Sequence, residues 1–422
     1  MPFSSYPQRL TFALFAALLF FAPLARGAVQ PWAQAALMAG AALLMAALCL
    51  EKALTGAVIM PRTALDKPFL ALAALFCLSL AFSQARADGL EAFALLAAYA
   101  VIFYAARHLS ENRAGQRQVV YLLITMATVV ALLALVKLFS PQLTPGWWQY
   151  ADLPSDSMAS GPYGNHNHLA GLLEMAIPLV FTLFLTRTRR GATLLLLIYL
   201  AILLTATHIL TLSRGGWFSL AAALLVMLIV LLAQKRFVRK KLLLCVTGCL
   251  LLAFLFILGG THIVERLLTL TDEDTVLDFA GRTIAWKGCL HMIAAHPFLG
   301  TGPGSFATLF PAWQPPGIIA RFFNAHNDYL QYTAELGLAV AAIVLWIIII
   351  LIRMVIRLAA HPSRQVWGLS LGAGIGILTI ILHSLVDFNL HIPANAVVLA
   401  ALLGLLVGID GQKQARGNNA AP

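Results

Sequence analysis

The sequence is short of charge. Of 422 residues only 11% are Asp, Glu, Lys or Arg, with 17 acidic against 28 basic. A water-exposed globular body needs more charged surface than that, so a soluble fold is excluded. Cysteine is sparse as well: Cys49, Cys77, Cys245, Cys249 and Cys289. The first four lie in apolar runs, so no disulfide framework is implied. Cys245 and Cys249 stand one helical turn apart, but no further ligand completes a zinc site. No HExxH motif, internal repeat or separate soluble domain is visible.

What the chain has is hydrophobicity, at 61% of residues and a mean hydropathy of +0.86. Spans of about 20 apolar residues are what a bilayer core requires. The runs here are too long and too uniform for the alternating strands of a membrane barrel. The expected fold class is an all-α polytopic membrane protein that forms one integral membrane domain over 1–422. Twelve spans are expected, near 10–25, 32–50, 68–83, 90–106, 119–139, 167–186, 193–212, 216–233, 242–259, 329–352, 367–386 and 394–410. The first is read as a retained helix rather than a signal peptide, because span after span follows it.

The net charge of +11 sits mainly in short loops between spans. That pattern encodes orientation better than it suggests nucleic-acid binding. "RHLSENRAGQR" (107–117), "RTRRG" (187–191), "QKRFVRKK" (234–241) and "RMVIRLAAHPSR" (353–364) fall on one side by alternation, with both termini. The positive-inside rule makes that side the cytoplasm. The opposite side, periplasmic or extracellular, receives a loop at about 140–166 and a larger one at about 260–328. In the larger loop, "GRTIAWKGCLHMIAAH" has helical spacing, with Ile284, Leu290, Ile293 and Ala294 as its apolar face.

Several polar residues on that outer side are not explained by topology. Arg214, in "LTLSRGGWFSL", is followed by Gly215 and Gly216 at the start of a span. A tight turn opening a helix offers free amides and a positive dipole end to an anion. An interfacial arginine reaching lipid phosphate is the ordinary alternative. Arg282 is read as opening a loop helix and offers a two-donor fork suited to phosphate. Its ordinary alternative is a surface pair with Asp278. His326, at the start of the tenth expected span, can take a proton near neutral pH or bind an anion. Asn324 or Asn327 could cap that helix. Two Asn/His clusters lie on the same side: Asn165, His166, Asn167 and His168, and His383, Asp387, Asn389 and His391. Their spacings match no compact metal motif. With the aromatic faces of Trp147, Trp148 and Tyr150 they suit a hydrogen-bonding sugar site. Asn324, Asn327, Asn165, His166, His168, Asp387 and Asn389 are therefore the candidate sugar or acceptor contacts. Taken together, this set suits a negatively charged lipid headgroup beside a polar acceptor.

The ordered stretches "SRGGW" (213–217), "GRTIAWKGCLHMIAAHPFLGTGPGSF" (281–306) and "AHNDYLQYTAELGL" (325–338) resemble the shared region of the O-antigen ligase and O-antigen polymerase superfamily. By motif the resemblance covers roughly 200–350, and by span count the whole chain. It implies a membrane fold of the GT-C-like kind and a metal-independent glycosyltransferase that needs no cofactor. The implied donor is a glycan on undecaprenyl pyrophosphate at the periplasmic face of the inner membrane. The implied acceptor is lipid A–core for a ligase, another lipid-linked glycan for an O-antigen or exopolysaccharide polymerase, and protein for some relatives. Family arginines that engage the pyrophosphate match Arg214 and Arg282, and the essential loop histidine matches His326. Pyrophosphate is a good leaving group whose growing charge the arginines can neutralise. A base on the opposite side of the sugar would give inversion. His326 is that base or a further phosphate ligand. The other reading is a transporter or flippase of polar or lipid-linked solutes. Against it stand the absent half-to-half repeat, the few charges inside spans and the long asymmetric loop.

Overall fold

The computed structural model describes residues 6–56, 62–148, 158–186, 191–233, 273–317 and 321–418, with backbone alone at 273–280 and beyond 411. Among these residues every regular element is helical. The helices are α1 (Tyr6–Leu24), α2 (Pro31–Thr55), α3 (Asp66–Phe82), α4 (Arg86–Leu109), α5 (Arg113–Phe139), α6 (His166–Thr186), α7 (Ala192–Leu210) and α8 (Arg214–Leu232). They continue as α9 (Glu273–Ala295), the single turn α10 (Phe306–Leu309), α11 (Asp328–Leu336), α12 (Ala339–Ala359), α13 (Arg364–His383) and α14 (Pro393–Asn418). Ten described helices are long and apolar enough to cross a membrane. The chain is a polytopic helical membrane protein.

Local chemistry sets the helix ends. Asn112 caps α5, its Oδ1 accepting the amides of Ala114 at 3.0 Å and Gly115 at 2.9 Å. Pro31 stands in the first turn of α2, where its missing N–H costs nothing, and left-handed Gly56 closes that helix. The best-buried span is α6, with 89% of its apolar window inside the molecule, against 17% for α12 at the rim. Burial of α6 depends on a stripe of glycines on α13. A Cβ at Gly368, Gly372 or Gly376 would fall 2.2–2.5 Å from Thr186, Thr182 or Met175 of α6. Small residues at this four-residue spacing let two helices approach closely in lipid, where dispersion contacts and hydrogen bonds drive association.

The basic loops 107–117 and 353–364 share one end of the bundle, where Gln365 Nε2 donates to the Arg113 carbonyl at 2.9 Å. Near that end Arg357 of α12 forks onto both carboxylate oxygens of Asp410 in α14. The starts of α6, α8 and α14 and the end of α13 lie at the other end.

Four expectations change here. The tenth span, expected at 329–352, is two helices, because Gly337 at φ 78° breaks the chain. A Cβ at Gly337 would lie 2.3 Å from the Phe298 carbonyl oxygen, so the loop packs where a continuous helix would run. Only α12 of that pair is a span. The expected span 68–83 is the 17-residue helix α3, shorter than the ten counted. The helix in the large loop exists, but its buried face is Ala285, Cys289 and Met292, while Leu290 and Ala294 are exposed. That helix starts at Glu273, so Arg282 stands well inside it and has no helix N-terminal amides beside it. The expected span 242–259, the loop 234–241, Cys245, Cys249, Tyr150 and the Asp278 side chain lie outside the described residues.

Candidate functional site

The short turn 384–391 between α13 and α14 is where the outlying polar residues converge. His326 comes to it from the start of α11. Its Nδ1 lies 3.2 Å from Asp387 Oδ1, and its ring meets Phe388 edge to face at 4.7 Å. His326 holds φ +52°, a left-handed conformation that a non-glycine residue keeps only when its surroundings impose it. Those surroundings are dense. Trp286 Nε1 donates to the Ala325 carbonyl at 2.9 Å, and the Ala325 amide donates to Gln331 Oε1 at 2.8 Å. Beyond the histidine, Asn327 caps α11 through the Leu330 amide and ties Nδ2 to the Leu385 carbonyl at 2.9 Å. The Asp328 amide then donates to the Ser384 carbonyl at 3.0 Å.

Arg282 reaches the same turn, Nη1 donating to the Val386 carbonyl at 3.0 Å. Arg214 opens α8, where Ser213 Oγ accepts the Gly216 amide at 3.2 Å, so the expected tight turn is present. A Cβ on Gly215 would come within 3.0 Å of His383 and Val386. The arginine-bearing turn can approach 383–386 only because residue 215 lacks a side chain. Val386 thus touches both arginine-bearing segments, and its neighbour Asp387 holds His326.

Asp387 is buried, its Oδ1 also accepting the Phe388 amide at 2.9 Å. Burial alone pushes its carboxyl up. The hydrogen bond from His326 and the nearby His168 and His383 rings outweigh that and hold it well below the ordinary carboxylate range. His391 is held by Asp328, Nδ1 to Oδ1 at 2.6 Å, and stacks on Tyr332 with ring centres 4.4 Å apart. Burial opposes charging that ring, but Asp328, with Glu335 behind it, raises its affinity for a proton. Glu335 accepts the Gly304 amide at 2.9 Å and is pushed up by burial against the pull of His391, Gly304 and Gln331.

The other sequence candidates divide. His168, like His326, packs on Phe388 in a T-shaped arrangement with ring centres 4.7 Å apart. His166 is half-buried at the first turn of α6, and Asn165 Oδ1 accepts the Asn167 amide at 2.8 Å as a local cap. Asn324 is half-buried, its Oδ1 accepting Gln331 Nε2 at 3.3 Å. Asn389 is fully buried against Gly171 and accepts Asn395 Nδ2 at 2.8 Å, and Asn395 also holds the His168 carbonyl and the Tyr163 hydroxyl. That amide cluster pins the turn to α6 and α14. Trp148 is buried and Trp147 half exposed, so of this pair only Trp147 offers an open face. Among the described residues no group of three or more His, Cys, Asp or Glu is placed to hold a metal ion.

Sequence reasoning passed over Glu174 and Glu335 and gave Asp328 no role. A visible signal existed for Glu174, a carboxylate inside the apolar run "LLEMAIP".

A bundle of membrane spans with two arginine-bearing segments and a carboxylate-held histidine meeting at one end defines a class of membrane protein with a polar, anion-suited site. The O-antigen ligase family model matches residues 199–347. That match covers Arg214, Arg282 and His326. It supports the O-antigen ligase and polymerase superfamily and, with it, a glycosyltransferase role on lipid-linked glycans. No curated protein matches the chain.

Proposed function

We propose that this protein transfers a glycan from an undecaprenyl-pyrophosphate carrier to an acceptor hydroxyl at the periplasmic face of the inner membrane. Segments 140–166 and 260–328 are its outer loops, within one membrane domain. Arg214 and Arg282 hold the pyrophosphate and neutralise the charge that grows as the sugar C1–O bond breaks. His326 takes the acceptor proton on Nε2, and attack from the side opposite the leaving group inverts the anomeric centre. No metal or cofactor takes part. Acceptor contacts come from His166 and His168 in the first turn of α6, with Trp147 as an open aromatic face.

One observation carries this reading. His326 Nδ1 faces Asp387 Oδ1 at 3.2 Å on a ring that stays one-third exposed. A carboxylate on one imidazole nitrogen fixes the tautomer and leaves the other nitrogen to accept a proton. A capping histidine needs no such partner, and the cap of α11 is already Asn327.

The test is transfer by the purified full-length protein from a lipid-pyrophosphate-linked oligosaccharide, with and without excess EDTA, followed by assignment of the new anomeric bond. Inverted product at an undiminished rate in EDTA is expected. Loss of transfer in chelator with recovery on adding Mg²⁺, Mn²⁺ or Zn²⁺ refutes the metal-free mechanism. Donor movement across vesicles with no glycan transfer refutes the enzyme reading in favour of a flippase.

A further inference from the structure

Beneath the site lies a buried cluster that this mechanism leaves unused. Glu174 of α6 is fully buried. Its Oε1 lies 3.0 Å from His383 Nδ1, and its Oε2 accepts the Ser219 hydroxyl at 2.7 Å. His208 Nε2 is 3.8 Å from the same Oε2. An ionisable side chain at this depth in a membrane protein is costly, and such residues are retained chiefly for function.

The cluster touches both halves of the site. On one side, His383 Nε2 lies 4.0 Å from Asp387 Oδ2. Asp387 in turn holds His326. A histidine ring with a carboxylate at each nitrogen presents donors to both only when doubly protonated. On the other side, Ser219 lies on α8, the helix that Arg214 opens. Gly215 leaves room for His383, and Gly216 leaves room for His208, whose Nε2 would meet a Cβ there at 3.2 Å. The two glycines after Arg214 are therefore the positions at which α8 seats on this buried cluster.

We infer that Glu174 and His383 are positioning residues of the transfer reaction. Through His383, Glu174 sets the charge and orientation of Asp387 and so of His326; through Ser219 it fixes the first turns of α8 and so Arg214. The inference rests on the glycosyl-transfer reading of the site. Other titratable groups that face the cluster include His168 of α6, His208 of α7, Asp328 of α11 and Asp387. All of them are kept in the variants below.

The experiment measures transfer from a lipid-pyrophosphate-linked oligosaccharide by full-length wild type, Glu174→Gln, Glu174→Asp, His383→Gln and Ser219→Ala, each as folded protein, across pH. In Glu174→Gln, kcat falls about 10–100-fold, the scale on which outer-shell partners of histidine ligands tell at metal sites. With Glu174 neutral, His383 loses the carboxylate at Nδ1 and keeps only Asp387 at Nε2, so a second proton is held less firmly. Asp387 is then less well neutralised by that ring, and the acid limb of the rate profile moves to higher pH. Glu174→Asp restores part of the rate. His383→Gln lowers kcat in the same way. Ser219→Ala leaves the acid limb in place and raises the donor KM instead, because it loosens only the Arg214 side. Should Glu174→Gln fail to fold, His383→Gln and Ser219→Ala carry the same two arms. Wild-type kcat, KM and acid limb in the folded variants overturn the inference alone. A wild-type protein that transfers nothing overturns the reading on which it rests.

Discussion

Asp328 binds His391 at 2.6 Å and the Leu390 amide at 2.9 Å, so one carboxylate locks α11 to the turn that carries Asp387. His391 has its proton affinity raised above the ordinary histidine value of 6.5. A raised histidine contributes stability that is fully present below its unfolded value and is lost as pH rises through the folded one. The thermal midpoint of the wild type should therefore decline as pH climbs above about 6.5. His391→Gln should start lower and decline less over the same range; Glu335, whose shift acts in the same direction, is common to both proteins. Parallel curves would remove His391 from the pH dependence. Asp328→Asn is the harsher change, since removing one partner of a buried pair costs on the order of 3–5 kcal/mol.

His326 allows its backbone and its ring to be tested apart. At φ +52° an alanine is strained and a glycine is not. His326→Gly should be more stable than His326→Ala by about 1 kcal/mol, read from thermal or denaturant unfolding. Both should transfer at background rates. Wild-type turnover in the glycine variant would make the ring structural and leave the mechanism without its base.

The arginines carry a charge prediction. Arg214→Ala and Arg282→Ala should each lower the transfer rate by about 10²–10³ at matched folded protein. Lysine should rescue poorly, because it lacks the planar two-donor fork. Arg282→Ala should also loosen the Val386 contact, so proteolysis near the turn serves as a structural control. Unchanged turnover in either alanine variant would reduce that arginine to a surface or lipid-facing residue.

Orientation is tested by single cysteines in a cysteine-free background. Lys287 is exposed on α9, and Arg364 is exposed where the basic loop enters α13. After outer-membrane permeabilisation, an impermeant maleimide should label Lys287→Cys, and Arg364→Cys only after the inner membrane is opened. The reverse pattern would turn the molecule over and place the site on the cytoplasmic side.

Most of the spans could be read directly, because a bilayer demands long apolar runs and short basic loops, and both are properties of contiguous sequence. The break between α11 and α12 could not. Apolar residues follow Gly337 almost without interruption, and what ends the helix is the Phe298 carbonyl packed against it from a distant segment. The buried face of α9 was misread for a related reason. Gly288 and Cys289 face the core there, while Leu290, which periodicity favours, is exposed. At the site, Arg214, Arg282 and His326 were legible because their residue types are out of place beside lipid. The 384–391 turn was visible only as a polar cluster, since its importance comes from chain segments up to two hundred residues away in sequence. Asn389 shows the limit of reading by residue type: it suits a sugar, yet it is sealed beneath the turn, whereas Asn327 makes the cap that its position offered.

Because that turn follows α13, the proposed arrangement is completed only after α8, α9 and α11 have been made. A nascent chain that has already made α8, α9 and α11 holds both arginines and the histidine. Asp387 and the carbonyl of Val386 have still to leave the ribosome. Arg282 and His326 gain their shared partner, the 384–391 turn, only when α13 and α14 enter the membrane as a hairpin. A chain truncated before residue 384 should therefore transfer nothing, since both arginines and the histidine would be present with nothing to aim them.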